Sequence, residues 1–243
     1  MNSLKYISHH MPYLPQGPAT GKLIVIEGTD GCGRTTQAAA LKQWLEVQGY
    51  GVMETGWTRS KLVGQTITDA KQGHSLNRLT YCLIYATDLA DRMEYQIIPA
   101  LRSGFIVLAD RYVYTAIARG IVRGADKHWL NDLFGFAVVP DLVFYLKLGV
   151  NDLVPRVLRA QKMNYWESGM DMNYGDDLYD SFMAYQSALI EQFDLISEEQ
   201  GFTTVDAQAS PQAIQTKLRR VVSRYLRDVP ATDTLTPPSI VGQ

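Results

Sequence analysis

One stretch restricts the folds open to this chain more than any other: Gly28-Thr29-Asp30-Gly31-Cys32-Gly33-Arg34-Thr35, preceded by the apolar run Leu23–Ile26 and followed by the amphipathic segment Thr36–Gln48. Gly28, Gly31 and Gly33 allow the backbone to turn through conformations closed to other residues, so successive N–H groups converge at the start of a helix. Convergent amides and the positive end of a helix dipole together hold an anion, phosphate above all. The spacing fits GxxxxGK[ST] except that Arg34 stands where lysine is usual. Thr35 follows at the place where a hydroxyl would meet Mg2+. The plain alternative is a structural turn, and the strand in front and helix behind weigh against it.

Five short runs rich in apolar, β-branched or aromatic residues recur: 23–26, 51–54, 105–109, 142–148 and 202–205. Their apolarity is continuous rather than alternating, which suits strands covered on both faces, and the longer stretches between them have helical spacing. The expectation is an α/β three-layer fold, a five-stranded parallel sheet with helices on both faces. Thr36–Gln48 carries Ala40, Leu41, Trp44, Leu45 and Val47 and stops at Gly49. The stretch 76–102 reads as helix, bent or divided near Pro99. Segments 151–161 and 177–200 frame a polar, glycine-containing stretch, about 162–177, that reads as a mobile lid. A closing helix is expected over 211–227, its basic residues forming a solvated face. Residues 1–20 read as a flexible extension, 21–228 as one domain and 229–243 as a flexible tail.

Lys and Arg total 23 against 25 for Asp and Glu, so no positive field is available to hold a nucleic-acid backbone. A nucleotide is expected to bind as a small molecule. Only Cys32 and Cys82 occur, which excludes a disulfide framework and suits a reducing cytoplasm. No apolar run approaches the roughly 20 residues of a membrane span. His9, His10, His74 and His128 lack metal-ligand spacing. Cys32 lies near a helix N-terminus, which can activate a thiol, although a small residue tolerated in a tight turn is the simpler reading.

The run 105–109 delivers Asp110-Arg111-Tyr112 at its carboxyl end, the edge where open α/β sheets bind ligands. There Asp110 can hold Mg2+ through water, and Arg111 can clamp an acceptor phosphate and neutralise charge during transfer. A guanidinium at position 34 is longer, planar and bidentate, so it bridges two oxygens but fits a tight loop less easily than an ammonium. Arg34 can perform the lysine's work, perform it slowly, or mark a chain that binds nucleotide without transfer. An active enzyme is the favoured reading.

Four stretches, IEGTDGCGRTTQ (26–37), ADRYVYTAIA (109–118), PDLVFYL (140–146) and YGDDLYDSFMAYQ (174–186), resemble the thymidylate kinase family of P-loop nucleoside monophosphate kinases. The resemblance spans 22–227. It implies transfer of the ATP γ-phosphoryl group to dTMP, with ATP and Mg2+ as cofactors and a homodimer formed through helix faces such as 79–90 or 129–138. By the same resemblance Gly28, Thr29, Asp30, Gly31, Cys32, Gly33, Arg34, Thr35 and Thr36 line the ATP phosphates. Asp30 lies between donor and acceptor phosphates, and Arg59 and Arg111 reach the acceptor phosphate. Tyr85 stacks on the base, and Tyr179 and Asp180 approach the sugar and metal. Asp30, Arg34, Asp110 and Arg111 are the expected catalytic groups, Thr35 and Asp110 the metal ligands, and Arg156, Arg159 and Lys162 the lid cations. Departures cluster in base recognition: Leu89 for an arginine, Ala116 for a small polar residue, Arg119 for a tyrosine, and Leu178 for a lid arginine. Lost polar partners redirect base selection. Another monophosphate acceptor, or a nucleotide-binding protein without catalysis, is therefore the alternative.

Overall fold

The structure is a computed structural model that describes residues 2–8, 18–161 and 163–228. Histidines 9 and 10, the rest of 9–17, the lid residue Lys162 and the tail 229–243 lie outside the described residues.

Seven strands and nine α-helices are described. Strands β1 (Asn2–Ser3) and β2 (Pro18–Ala19) form a small antiparallel pair. The main sheet contains β3 (Lys22–Glu27), β4 (Val52–Gly56), β5 (Ile106–Asp110), β6 (Leu142–Lys147) and β7 (Thr203–Asp206), all parallel, in the order β4-β5-β3-β6-β7. This is the expected five-stranded parallel α/β architecture. The glycine-rich loop leaves β3, the central strand. Leu23, Ile24, Val25 and Ile26 are fully buried, which explains why their apolarity does not alternate: one face feeds each of two cores.

The helices are α1 (Arg34–Val47), α2 (Gly64–Gln72), α3 (Arg78–Arg92), α4 (Ile98–Arg102), α5 (Val113–Val122), α6 (Lys127–Leu133), α7 (Val150–Arg159), α8 (Leu178–Gln200) and α9 (Pro211–Tyr225). Side-chain caps fix several starts: Asn77 accepts from the Thr80 N–H, Asp126 from Trp129, Asp177 from Asp180 and Ser210 from Ala213. The helical stretch expected over 76–102 is divided by a wide π-type turn, Met93–Ile97, just ahead of Pro99. Proline has no N–H to give, and the added residue in the turn absorbs that loss. Among the described residues no helix is long and apolar enough to cross a membrane.

Two segments expected to be loose are packed where they are described. Residues 2–8 lie along the domain: Tyr6 bridges Val138, and the Ile7 and Ser8 N–H groups donate to the Ala137 and Gly135 carbonyls. Leu4, Tyr6 and Ile7 supply the reason, since they pack against the core. Described residues of the 162–177 stretch are likewise seated. Trp166 is only 4% exposed and its indole N–H donates to the Lys71 carbonyl at 2.7 Å. The Ser181 hydroxyl donates to the Ser168 carbonyl at 2.7 Å. At Gly169, where φ is +65°, a Cβ would meet the Tyr185 ring at 2.5 Å, so the backbone approach requires glycine.

Candidate active site

Strand order brings the two motifs together. β3 and β5 are neighbours with Ile26 opposite Asp110, so the loop that leaves β3 and the residues that end β5 emerge side by side. The Arg111 N–H donates to the Ile26 carbonyl at 3.1 Å and locks that register. Gly28, Gly31 and Gly33 have φ of 144°, 87° and 101°. At Gly31 a Cβ would lie 2.7 Å from Val157 on α7, so this glycine answers both to its left-handed backbone and to close packing.

Arg34 opens α1 and is buried at 7% exposure. Its Nε donates to Asp110 Oδ1 at 2.9 Å, Nη1 donates to the Gly28 and Thr29 carbonyls, and Nη2 lies 3.5 Å from Asp30. A cation in the first turn of a helix is electrostatically unfavourable. Two carboxylates and two carbonyls offset that here. The Thr35 hydroxyl donates to the other Asp110 oxygen at 2.6 Å, so Asp110 joins both ends of the Arg34-Thr35 pair. Besides Arg34, two more arginines meet Asp30 and hydrogen-bond it, Arg111 on Oδ1 and Arg119 on Oδ2. Arg119 also reaches Glu167, and Lys71 Nζ lies 3.9 Å from that carboxylate.

These groups line a cleft of about 260 Å³ formed by Asp30, Arg34, Thr35, Trp57, Arg59, Tyr85, Asp110, Arg111, Arg119 and neighbouring residues. Tyr85 is mostly covered, its ring 4.5 Å from Trp57 and 4.6 Å from Tyr81. Leu89 and Ala116, noted as departures from the family pattern, belong to the same apolar cluster. Arg59 is exposed at the cleft's edge. The structure does not bring Tyr179 and Asp180 to this cleft: both are exposed on the first turn of α8. Arg156 donates to the Ala207 carbonyl at 2.9 Å, and Arg159 is exposed at the end of α7. Thr36 is exposed in the first turn of α1.

Burial pushes the Cys32 thiol pKa up, against the activated-thiol reading. Burial also lowers the Arg111 pKa to about 10, helped by the like charge of Arg119. Such a site gains from an added anion. At Glu167, burial would raise the pKa, but Arg119, Arg111 and Lys71 outweigh it and hold the carboxyl well below its ordinary range.

Glu27, directly ahead of the loop, is fully buried and accepts from the Tyr112 N–H at 2.9 Å, the Thr115 N–H at 3.2 Å and the Thr115 hydroxyl. It ties β3 to the start of α5. Burial raises its pKa from 4.5 to about 7, although the Thr115 hydrogen bond and the Arg34 charge oppose this. A folded pKa above the unfolded one stabilises fully below the unfolded value, and that contribution is lost as pH rises through about 7. We therefore expect E27Q, which keeps the shape, to gain stability relative to the parent between pH 5 and 8, by a few kcal/mol at ~1.4 kcal/mol per unit. Melting curves of the two proteins across that range check it, and a difference that stays constant with pH would contradict it.

With the loop and the Asp110–Arg111 corner in place, a family model described as Thymidylate kinase matches residues 26–218. The chain belongs to the thymidylate kinase family. As a thymidylate kinase family member it is an ATP-dependent phosphotransferase. It is 38% identical over 208 residues to a probable thymidylate kinase 2 of Saccharolobus solfataricus, covering 85% of this chain and 97% of that protein. A probable thymidylate kinase of Thermococcus kodakarensis is 38% identical over 149 residues, 58% of this chain and 72% of the relative. A thymidylate kinase of a Thermoanaerobacter species is 35% identical over 147 residues, 56% of this chain and 70% of the relative.

Five residues of the cleft belong to no motif read from the sequence: Gly56, Trp57, Thr58, Lys71 and Glu167. Glu167 lies in the polar stretch read as a lid, and its only sequence signal is a carboxylate one residue after Trp166. Arg119 was visible as a departure from the family pattern but not as a partner of Asp30.

Proposed function

We propose that this protein transfers the γ-phosphoryl group of ATP to dTMP, giving dTDP. The observation that supports this most is the direct joining of the two clusters: Arg34 and Thr35 both bond Asp110, while Arg111 bonds Asp30. Donor phosphates would lie against the loop amides of 28–35, and the acceptor phosphate against Arg111 and Arg59. The Thr29 hydroxyl, buried in the loop without a hydrogen-bond partner among the described residues, suits a phosphate oxygen.

The donor set also fits Mg2+, since the Thr35 hydroxyl and Asp110 carboxylate are hard oxygen ligands 2.6 Å apart at the cleft. Mg2+ bound with ATP would supply charge neutralisation at the transferring phosphates. Arg34 and Arg111 provide the protein's own positive charge on either side of the transfer, and Asp30 separates them electrostatically. Trp57 and Tyr85 give the acceptor base an aromatic wall. Roles for Tyr179 and Asp180 require movement of the first turn of α8 toward the cleft, while Arg156 and Arg159 lie on α7, whose Val157 already meets the loop at Gly31.

A second acceptor is favoured by one feature: Leu89 and Ala116 offer the base no polar side-chain partner, while Arg119 brings a buried cation. Steady-state transfer from ATP to a panel of nucleoside monophosphates separates the readings. The expected result is the highest kcat/KM with dTMP. Turnover of another monophosphate alone would replace the acceptor, and ATP binding without transfer to any would leave a nucleotide-binding protein.

We also propose a homodimer through α3, where Leu79 and Leu83 are 58% and 44% exposed, with Trp129 of α6 beside Leu79 in one groove. The other expected face, 129–138, is not a continuous helix, because α6 ends at Leu133 and Phe134, Phe136, Ala137 and Val138 are buried.

A further inference from the structure

We propose that Arg119 is a second ligand of the acceptor phosphate and that Glu167 is the positioning residue that holds it there. This rests on the phosphotransferase reading above. Arg111 and Arg119 lie over the same indole, each guanidinium carbon 5.6 Å from the Trp57 ring centre, and each bonds a different oxygen of Asp30. Trp57 is itself fixed by donating its indole N–H to the Tyr112 carbonyl at 3.1 Å. Two guanidiniums that share one carboxylate through separate oxygens are spaced to share any small oxyanion the same way. A phosphate dianion carries more charge than Asp30 and takes over the Nη2 donors of both arginines when it arrives beside the loop.

Two like charges so close need a fixed counterion, or Arg119 would swing away. Glu167 supplies it, accepting from both Nη1 and Nη2 of Arg119. Glu167 is in turn held by its backbone, whose carbonyl accepts from Gln186 at 2.7 Å and whose N–H donates to Asn164 at 3.1 Å. Four residues on, at the C-terminal cap of α5, Arg123 pairs with Asp171 at 2.8 Å. Arg119 in the last turn of α5 and Arg123 at its C-terminal cap thus face 167 and 171 on the connecting segment in two rungs. The first rung opens on the cleft; the second is closed off by Tyr81 and Tyr185.

The test compares R119Q, E167Q and the R119Q/E167Q double variant with the parent, using dTMP and thymidine as probes. Parent turnover of dTMP is measured first, so that a failed acceptor assignment is separated from a failed role for Arg119. Both single variants are expected to raise KM for dTMP by about tenfold or more, as loss of a charge-assisted contact implies, with KM for ATP within about twofold. The double variant is expected to match R119Q alone, because Glu167 acts only through Arg119. Thymidine, which lacks the phosphate, is expected to bind parent and variants equally. Equal weakening of thymidine and dTMP would overturn the proposal in favour of a base or sugar contact, and additive effects in the double variant would remove Glu167 from it. Should E167Q fail to melt cooperatively, R119K carries the same comparison: it keeps the charge but not the fork, and unchanged dTMP affinity in R119K and R119Q alike would overturn the role of Arg119.

Discussion

Replacing Arg34 with methionine is expected to lower kcat by about a thousandfold or more, the range seen when a preorganised cation is removed from a transferring phosphoryl group. Methionine fills much of the same volume, so the change removes charge and donors rather than packing. Arg34 reaches Asp110, Asp30 and the carbonyls of Gly28 and Thr29 at once. Thr35, through its hydroxyl on Asp110, and Asp30, through Arg111, also link the loop to the end of β5, each with fewer contacts. Nucleotide binding should fall much less than turnover, because the loop amides persist in the variant. R34K should retain more activity than R34M, since it keeps the charge, but less than the parent, since an ammonium lacks the planar fork. Single-turnover rates with saturating ATP measure this directly. Unchanged turnover in R34M would remove Arg34 from the mechanism and recast its contacts as a brace for the loop.

Substituting Arg111 with methionine is expected to reduce kcat/KM for the acceptor by about two to three orders of magnitude, while KM for ATP stays within about twofold. The residue sits at φ of 72°, a conformation that costs a non-glycine side chain of order 1 kcal/mol. The Arg111 N–H bond to the Ile26 carbonyl and the Asp30 carboxylate hold it there. Equal losses for ATP and acceptor would show that Arg111 serves the whole cleft rather than the acceptor side.

The fold was legible because a strand buried on both faces leaves a continuous apolar run, and Leu23–Ile26 and Leu142–Leu146 carry that run without interruption. The loop was legible for a similar reason: glycines at 28, 31 and 33 answer to left-handed backbone, a demand that few other residues meet. The meeting of Asp110 with Arg34 and Thr35 followed from placing a Asp-Arg pair at a strand's carboxyl end, although the adjacency of β3 and β5 is a property of topology and not of either motif. What escaped was whatever depends on long-range partners. Glu167 and Trp166 sit in a polar stretch whose composition suggests mobility, yet one buried indole and one buried ion pair hold it in place. Arg119 looked like a lost tyrosine; only its contact with Asp30 shows a cation brought to the glycine-rich loop. The same holds for residues 2–8, where Leu4, Tyr6 and Ile7 are too few to form a pattern but enough to cover Val138.

The central claim is that phosphate is bound by the amides of 28–35 and faced by Asp110 and Arg111. A crystal structure with ADP and dTMP bound together addresses it most directly. The expected result is the ADP β-phosphate within hydrogen-bond distance of the Gly31–Thr35 amides and the dTMP phosphate within reach of Arg111. Nucleotide bound elsewhere, with the Arg34 guanidinium still seated on the Gly28 and Thr29 carbonyls and the loop closed to phosphate, would contradict it.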